Sequence, residues 1–217
     1  MDKELVLAHK KNLPFQVILA SASPRRRDLL LQLGLDFDIK IPAIEEKRLD
    51  REAPAAYVRR NSKEKAMAIL ESLDFSHLTK PPLIISADTV VTLDDLILEK
   101  PGSVEHAQEM LQSLSGRAHQ VISAFCLVLP EANQEPLIYN EVVRTKVEFR
   151  VLSSDDIQSY IATGESFDKA GAYGIQGFAN VFVRKIEGSY TNVVGLPMTQ
   201  LWEAIQDLSQ QKSQLSN

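Results

Sequence analysis

The sequence predicts an α/β chain: a mixed, twisted β-sheet flanked by helices, folded as one domain or as one domain in two lobes around a cleft. Three observations predict it. Short apolar runs, VILA at 17–20 and LIIS at 83–86, read as buried strands. Capped segments with apolar residues at helical spacing alternate with such strands. Two long β segments then follow one another directly, which requires antiparallel pairing within the same sheet. At 217 residues, 44% of them hydrophobic and 24% charged, the chain is long enough to bury a sizeable core.

The elements follow in order. QVILA (16–20) is a buried strand. A helix runs from Pro24 to Leu33, with Ser23 as N-cap, Pro24 at the first helical position and Gly34 as the stop. FDIKI (37–41) is a second strand. After the acidic loop containing IEEKRLDRE, a longer helix spans about Pro54 to Ser72. LIISAD (83–88) is a continuous apolar strand, and LDDL within VVTLDDLILEK reads as a hairpin turn. Ser103 caps a helix whose apolar face is Val104, Ala107, Met110, Leu111 and Leu114. Segments 118–129 and 137–151, joined by PEANQEP, form an unusually long β-hairpin. SSDDIQSYIAT is a short helix ended by Gly164. The glycine-rich DKAGAYGIQG follows, then a strand FANVFVRKI, a turn EGSY and a last helix from Pro197. The domain is expected over 16–208, between an N-terminal extension (1–15) and a polar tail (209–217) that frays.

Composition excludes several functions. A net charge of −5 argues against a general nucleic-acid binder. No apolar run approaches the length of a membrane span. The first sixteen residues, MDKELVLAHKKNLPFQ, lack the continuous apolar stretch of a signal peptide, so they read as a cytoplasmic extension and the protein as cytoplasmic. The single cysteine, Cys126, lies in ISAFCLVL and reads as a small core residue. His9, His77, His106 and His119 show no metal-ligand spacing.

Against this background a few residues stand in unusual places. LASASPRRRDLL (19–30) puts three arginines at a helix start, where the macrodipole is already positive and a carboxylate would be favoured. Helical geometry places Arg26 with Leu29, Leu30 and Leu33, Arg25 at the edge of that face, and Arg27 opposite, in solvent. Ser21, Ser23, Arg25 and Arg26 with the free N–H groups of the first turn would cradle a phosphate; alternatively the arginines pair with surface carboxylates. On the long helix Ala55, Val58, Ser62, Ala66, Ile69 and Leu73 form one stripe, and Lys65 falls inside it. Its stem either packs inward while the ammonium reaches water, or the cation is aimed into a cleft.

Asp88 follows a buried strand. It either caps a turn or faces, with Ser21, a cleft beyond the strand ends. Glu45 and Glu46 could bring another carboxylate, and paired carboxylates beside a phosphate cradle point to Mg²⁺ or Mn²⁺. Lys100 is held extended before Pro101, and Lys169 and Gln176 flank Gly171, Gly174 and Gly177 in a loop that is either a structural turn cluster or a close approach to a ligand. Neither a Walker A motif nor GxGxxG occurs.

Together these pieces resemble the Maf family of nucleotide pyrophosphatases, relatives of the inosine triphosphate pyrophosphatase-like (Maf/Ham1) fold. The resemblance covers about residues 16–207. It runs through SASPRR (21–26), Glu46, EKA (64–66), SADT (86–89), KP (100–101), SGRAHQV (115–121), GESFDKAGAYGIQG (164–177) and GSYTNVVGLP (188–197). It implies hydrolysis of a nucleoside triphosphate to monophosphate and pyrophosphate with a divalent cation. It also implies the dTTP/UTP branch rather than the 7-methyl-GTP branch, Asp88 as catalytic acid/base, and Arg25, Thr89 and Gln176 as specificity positions. Homodimerisation is an expectation of the resemblance alone. On this reading Arg25, Arg26, Lys65 and Lys100 bind the triphosphate while Glu46 and Asp88 hold the metal.

Two other classes compete. A haloacid-dehalogenase-type phosphatase would need a second Asp two positions after Asp88, where this chain has Val90. A non-catalytic nucleotide-binding regulator of cell division has little use for an inward lysine and a strand-borne carboxylate.

Overall fold

The computed structural model describes residues 12–131 and 134–215, so the extension lies outside it except for residues 12–15, as do His9 and the centre of the PEANQEP loop. Seven strands form one sheet. They are β1 (Gln16–Leu19), β2 (Phe37–Ile39), β3 (Pro82–Leu93), β4 (Leu96–Leu98), β5 (Ala118–Leu129), β6 (Leu137–Phe149) and β7 (Val183–Glu187). Their order is β2-β1-β3-β5-β6-β7, with β4 on the far half of β3. β1 runs parallel to β2 and β3, and every other pairing is antiparallel, so the sheet is mixed.

Helix α1 (Pro24–Gln32) starts where expected: the Ser23 side chain accepts from Arg26 N–H, and Pro24 occupies the first turn. Helix α2 (Pro54–Glu71) lies over one face of the sheet. Its Ala66 and Ile69 bury against residues such as Ile18, Ile84 and Val128, and its Val58 against Val90 and Ile122. The opposite face carries the larger core, covered by α1, α3 (Val104–Leu114), α4 (Ser154–Ala162), α5 (Tyr190–Val194) and α6 (Met198–Leu215). A sheet covered on both sides explains why nearly every residue of β3 is buried and why its sequence reads as a continuous apolar run.

The hairpin at Asp94–Asp95 forms as read. Both residues take left-handed backbone, φ 49° and 66°, the twist that a two-residue turn between antiparallel strands needs. The β5–β6 ladder pairs from Ala118↔Glu148 to Leu129↔Leu137. Cys126 is fully buried, its thiol pushed up to about 12 by loss of solvent.

Four expectations need correction. β3 does not end at Asp88 but continues to Leu93, because β5 pairs with it throughout and Asp88 sits opposite Ala124 in mid-ladder. FANVFVRKI is not one strand. Phe178–Phe182 forms a 3₁₀ turn whose Phe178 and Phe182 rings pack on Tyr160, and only Val183–Glu187 joins the sheet. Val104 is exposed at the first turn of α3 rather than part of its apolar face. The last helix continues to Leu215, so most of the expected tail is helical.

Candidate active site

The length of β3 is what makes the site. Its pairing with β1 stops at Leu19↔Ile85, and β4 begins pairing only at Val91. Between those points one edge of β3 is open, and the cleft lies there, with a volume of about 900 Å³. Alternation sends Asp88 toward α2 and Thr89 toward α1, so two successive residues serve the two sides of one cleft. Most of the residues singled out from the sequence line this cleft: Ser21, Ser23, Arg25 and Arg26 from the start of α1, Glu46 and Lys65, Asp88 and Thr89, and Lys100, Lys169 and Gln176; Glu45 and Gly171 do not.

On the α2 side Lys65 is buried, and its Nζ donates to Asp88 Oδ1 at 2.8 Å and to Glu46 Oε2 at 2.7 Å. Of the two readings open for Lys65, the cation in a cleft is the one observed. Glu46 comes from the irregular stretch 40–53 and is nearly half exposed, whereas Asp88 is buried.

On the α1 side the Arg26 guanidinium is held by neutral acceptors. Nε donates to Gly195 O at 2.9 Å, Nη1 to Ser21 Oγ at 3.3 Å and Nη2 to Thr89 Oγ1 at 3.2 Å. Thr89 Oγ1 in turn meets Ser123 Oγ at 2.9 Å. Among the described residues no carboxylate lies within ion-pair distance of Arg26. Burial presses its pKa below the ordinary arginine value, against the upward pull of Asp88 and Glu46, while Arg25 pushes it further down. Ser21 Oγ accepts from both Arg26 and Ser23 N–H, which leaves its own O–H to donate into the cleft.

Arg25 and Lys169 are in a different state. Arg25 Nη1 pairs with Asp168 Oδ2 at 2.9 Å, and Lys169 Nζ donates to Asp168 Oδ1 at 2.5 Å and to Glu165 O at 2.6 Å. Arg25 therefore ties the glycine-rich loop to the start of α1, and Lys169 braces the loop from within. Burial pushes the Asp168 carboxyl up, but its contacts with Lys169 and Arg25 outweigh that and hold it at about 2. Glu165 braces the same loop by accepting from Phe178 N–H, and a Cβ on Gly177 would collide with that carboxylate. Lys100 and Gln176 are exposed at the rim with no side-chain partner among the described residues. Arg27, as expected, lies in solvent, beside Asp28.

Two contributors escaped the sequence reading. Asn61 is fully buried on α2, and its Nδ2 donates to Asp88 Oδ2 at 3.2 Å. Its position four residues before Lys65 was the available signal. Gly195 supplies the carbonyl that orients Arg26, and helix α5, which ends there, had no strong apolar pattern to reveal it.

Among the described residues no group of three or more His, Cys, Asp or Glu side chains is arranged to hold a metal. The pair Glu46 and Asp88 still suits a hard divalent cation of the Mg²⁺ kind, which keeps several waters and takes one or two carboxylates plus the phosphate oxygens of a bound nucleotide.

The fold and the cleft thus define a mixed α/β protein made to hold an anionic ligand between unpaired cations and a carboxylate pair. The family model described as Maf-like protein matches residues 16–208, and the chain belongs to that family. It is 47% identical over 195 residues to a dTTP/UTP pyrophosphatase of Acinetobacter baylyi, covering 90% of this chain and 99% of that protein. It is 44% identical over 191 residues to the dTTP/UTP pyrophosphatase of Escherichia coli O157:H7, with 88% and 92% covered. A third relative of the same name, from Vibrio parahaemolyticus, is 47% identical over 199 residues, with 91% and 98% covered. A HAM1 protein from Coxiella burnetii superposes over 92% of this chain and 99% of its own at 17% identity and a TM-score of 0.40, a likeness too loose to bear on fold or function.

Proposed function

We propose that this chain is a nucleoside triphosphate pyrophosphatase that hydrolyses dTTP and UTP to the monophosphate and pyrophosphate. The observation that carries the chemistry is Arg26: a guanidinium held in place by neutral acceptors, with no carboxylate partner among the described residues, facing the cleft that also holds Lys65 and Asp88. A partly buried cation with no carboxylate in contact is costly unless an anion completes it. The substrate identity is carried by relatives that are 44–47% identical over about nine-tenths of the chain.

In this reading Arg26 and Lys100 receive phosphate oxygens, with the Ser21 and Ser23 hydroxyls and the first-turn N–H groups of α1 beside them. Arg25 and Lys169 join as the phosphates compete with Asp168. Asp88 is fixed on one oxygen by Lys65 and orients a water toward the α-phosphorus, accepting its proton. Glu46 and Asp88 would hold Mg²⁺ or Mn²⁺, which when bound neutralises charge on the phosphates. Catalysis is chiefly positioning and charge neutralisation. The loop 168–177 presents amide groups and Gln176 to the pyrimidine edge, and Arg25, Thr89 and Gln176 set specificity. The activity belongs to residues 16–208 as one domain. Among the described residues no helix is long and apolar enough to cross a membrane. A cytoplasmic location, a homodimer and the absence of a nucleic-acid partner complete the reading.

A panel of dTTP, UTP, CTP, ATP, GTP and 7-methyl-GTP, assayed separately for pyrophosphate and orthophosphate, tests it. Pyrophosphate with kcat/KM at least tenfold higher for dTTP and UTP is expected. Orthophosphate, no product, or equal rates on every nucleotide would refute it. In ¹⁸O-water the label should enter the monophosphate; label in pyrophosphate alone would move the attack to the β-phosphorus.

A further inference from the structure

We propose that Asn61 is a positioning residue for this reaction, holding the second oxygen of Asp88 in the orientation that the contact with Lys65 leaves free. The inference rests on the pyrophosphatase reading above. Helix α2 carries Tyr57, Asn61 and Lys65 at successive intervals of four, so the three side chains follow one another along a single stripe. That stripe meets both acidic groups of the site. Tyr57 Oη donates to the Glu46 backbone carbonyl at 3.4 Å, Lys65 Nζ bridges the Glu46 and Asp88 carboxylates, and Asn61 Nδ2 donates to Asp88 Oδ2 at 3.2 Å.

A carboxylate held at one oxygen can still rotate about its Cβ–Cγ bond; held at both, by donors from the same rigid helix, it cannot. The amide orientation is itself determined by charge, because a flipped Asn61 would set its own oxygen against a carboxylate. Packing does not explain the residue. Asn61 is fully buried, its side chain also interacts with the Tyr57 hydroxyl, and its Oδ1 meets no partner in hydrogen-bond geometry among the described residues. A stripe position chosen for stability alone would carry an aliphatic side chain rather than strand an acceptor in the core. Ser62, the adjacent buried polar residue on α2, shows the contrast: its Oγ donates to Arg59 O and takes no part in holding Asp88.

The test uses the full chain with Mg²⁺ and dTTP, in three variants. Asn61→Leu removes the amide, Asn61→Ala removes it without filling the space, and Ser62→Ala perturbs a neighbouring buried site. Each is measured for kcat and KM, for binding of α,β-methylene-dTTP and for melting temperature. Both Asn61 variants should lose about 10–100-fold in kcat, the worth of one hydrogen bond to a charged group. For Asn61→Leu, KM and analogue affinity should stay within about threefold of wild type and the melting temperature should not fall. Ser62→Ala should leave kcat within about twofold. Should Asn61→Leu fail to fold, Asn61→Ala decides on kcat. Turnover within twofold of wild type in the Asn61 variants overturns this inference alone. So does a loss of kcat that tracks a loss of analogue binding and melting temperature, as a packing defect would produce. A wild-type protein that releases no pyrophosphate from dTTP or UTP takes down the underlying reading with it.

Discussion

Replacing Arg26 with Met should separate function from stability, moving them in opposite directions. Of the five guanidinium N–H groups, three are committed to Gly195 O, Ser21 Oγ and Thr89 Oγ1, which leaves two for a phosphate. Hydrogen bonds to charged groups contribute about 1.5–3 kcal/mol each, so losing two costs about 3–6 kcal/mol of transition-state binding. At 1.36 kcal/mol per tenfold, kcat/KM for dTTP falls roughly 10²–10⁴-fold. The folded protein without ligand gives up little: Gly195 O still accepts from Thr89 Oγ1 at 3.3 Å, and Thr89 still meets Ser123. A partly buried charge without a carboxylate in contact is also removed. The melting temperature should therefore hold or rise. Pyrophosphate release under subsaturating dTTP, paired with thermal unfolding in the absence of nucleotide, reads both quantities. A variant that keeps kcat/KM within tenfold, or that loses activity only because it melts earlier, would show that Arg26 is a structural residue and not the anion's partner.

Other perturbations have equally definite outcomes. Asp88→Asn should abolish turnover while α,β-methylene-dTTP still binds; wild-type kcat in that variant would remove Asp88 from the mechanism. Glu46→Gln should raise the Mg²⁺ concentration needed for half-maximal rate by about tenfold or more, and chelation should stop the wild-type reaction; a rate indifferent to chelator would end the metal assignment. Gly177→Ala displaces Glu165 from Phe178 N–H, so the dTTP-to-GTP ratio of kcat/KM should fall about fivefold, the worth of roughly one hydrogen bond, with the melting temperature little changed. His119 is buried against Phe149 and Tyr173, and burial holds its pKa down to about 4 from an ordinary 6.5. Between those values the unfolded chain binds a proton that the folded chain refuses, so its contribution is complete above pH 6.5 and is lost as pH falls toward 4, by roughly 3 kcal/mol in full. Denaturant unfolding at pH 7 and pH 5 should show about 2 kcal/mol of that loss in wild type and a much flatter dependence in His119→Phe.

The chemistry was more legible in the sequence than the geometry that serves it. Lys65 stood out because an ionised side chain on an apolar helical stripe breaks a strong rule, and Arg26 because three cations at a helix start break another. Short-range rules also placed the Ser23 and Ser103 caps, the Asp94–Asp95 turn and the long β5–β6 hairpin. What escaped depended on distant partners. Nothing local to Arg25 or Lys169 announces that both are held by Asp168, in Arg25's case 143 residues away. Asn61 looks like an ordinary helix residue until Asp88 is brought beneath it. The extent of β3 was misread because an Asp in mid-strand is unfavourable by propensity, and Lys65, the cation that pairs with it, comes from a helix distant in sequence. The Phe178–Phe182 turn was misread because aromatic and β-branched residues favour strands, whereas here the rings serve to pack on Tyr160.

The unbroken ladder from Ile84↔Val128 to Thr92↔Gln120 runs beneath the whole cleft. The floor is therefore a girder with no joint in it, and the distance between the walls that rise from it is set by the spacing of backbone hydrogen bonds. On the proposed function, grip and release of a nucleotide would then fall to the coil at 40–53 and the loop at 165–177, whose side chains can change over generations while the carboxylate bolted to the girder keeps its place.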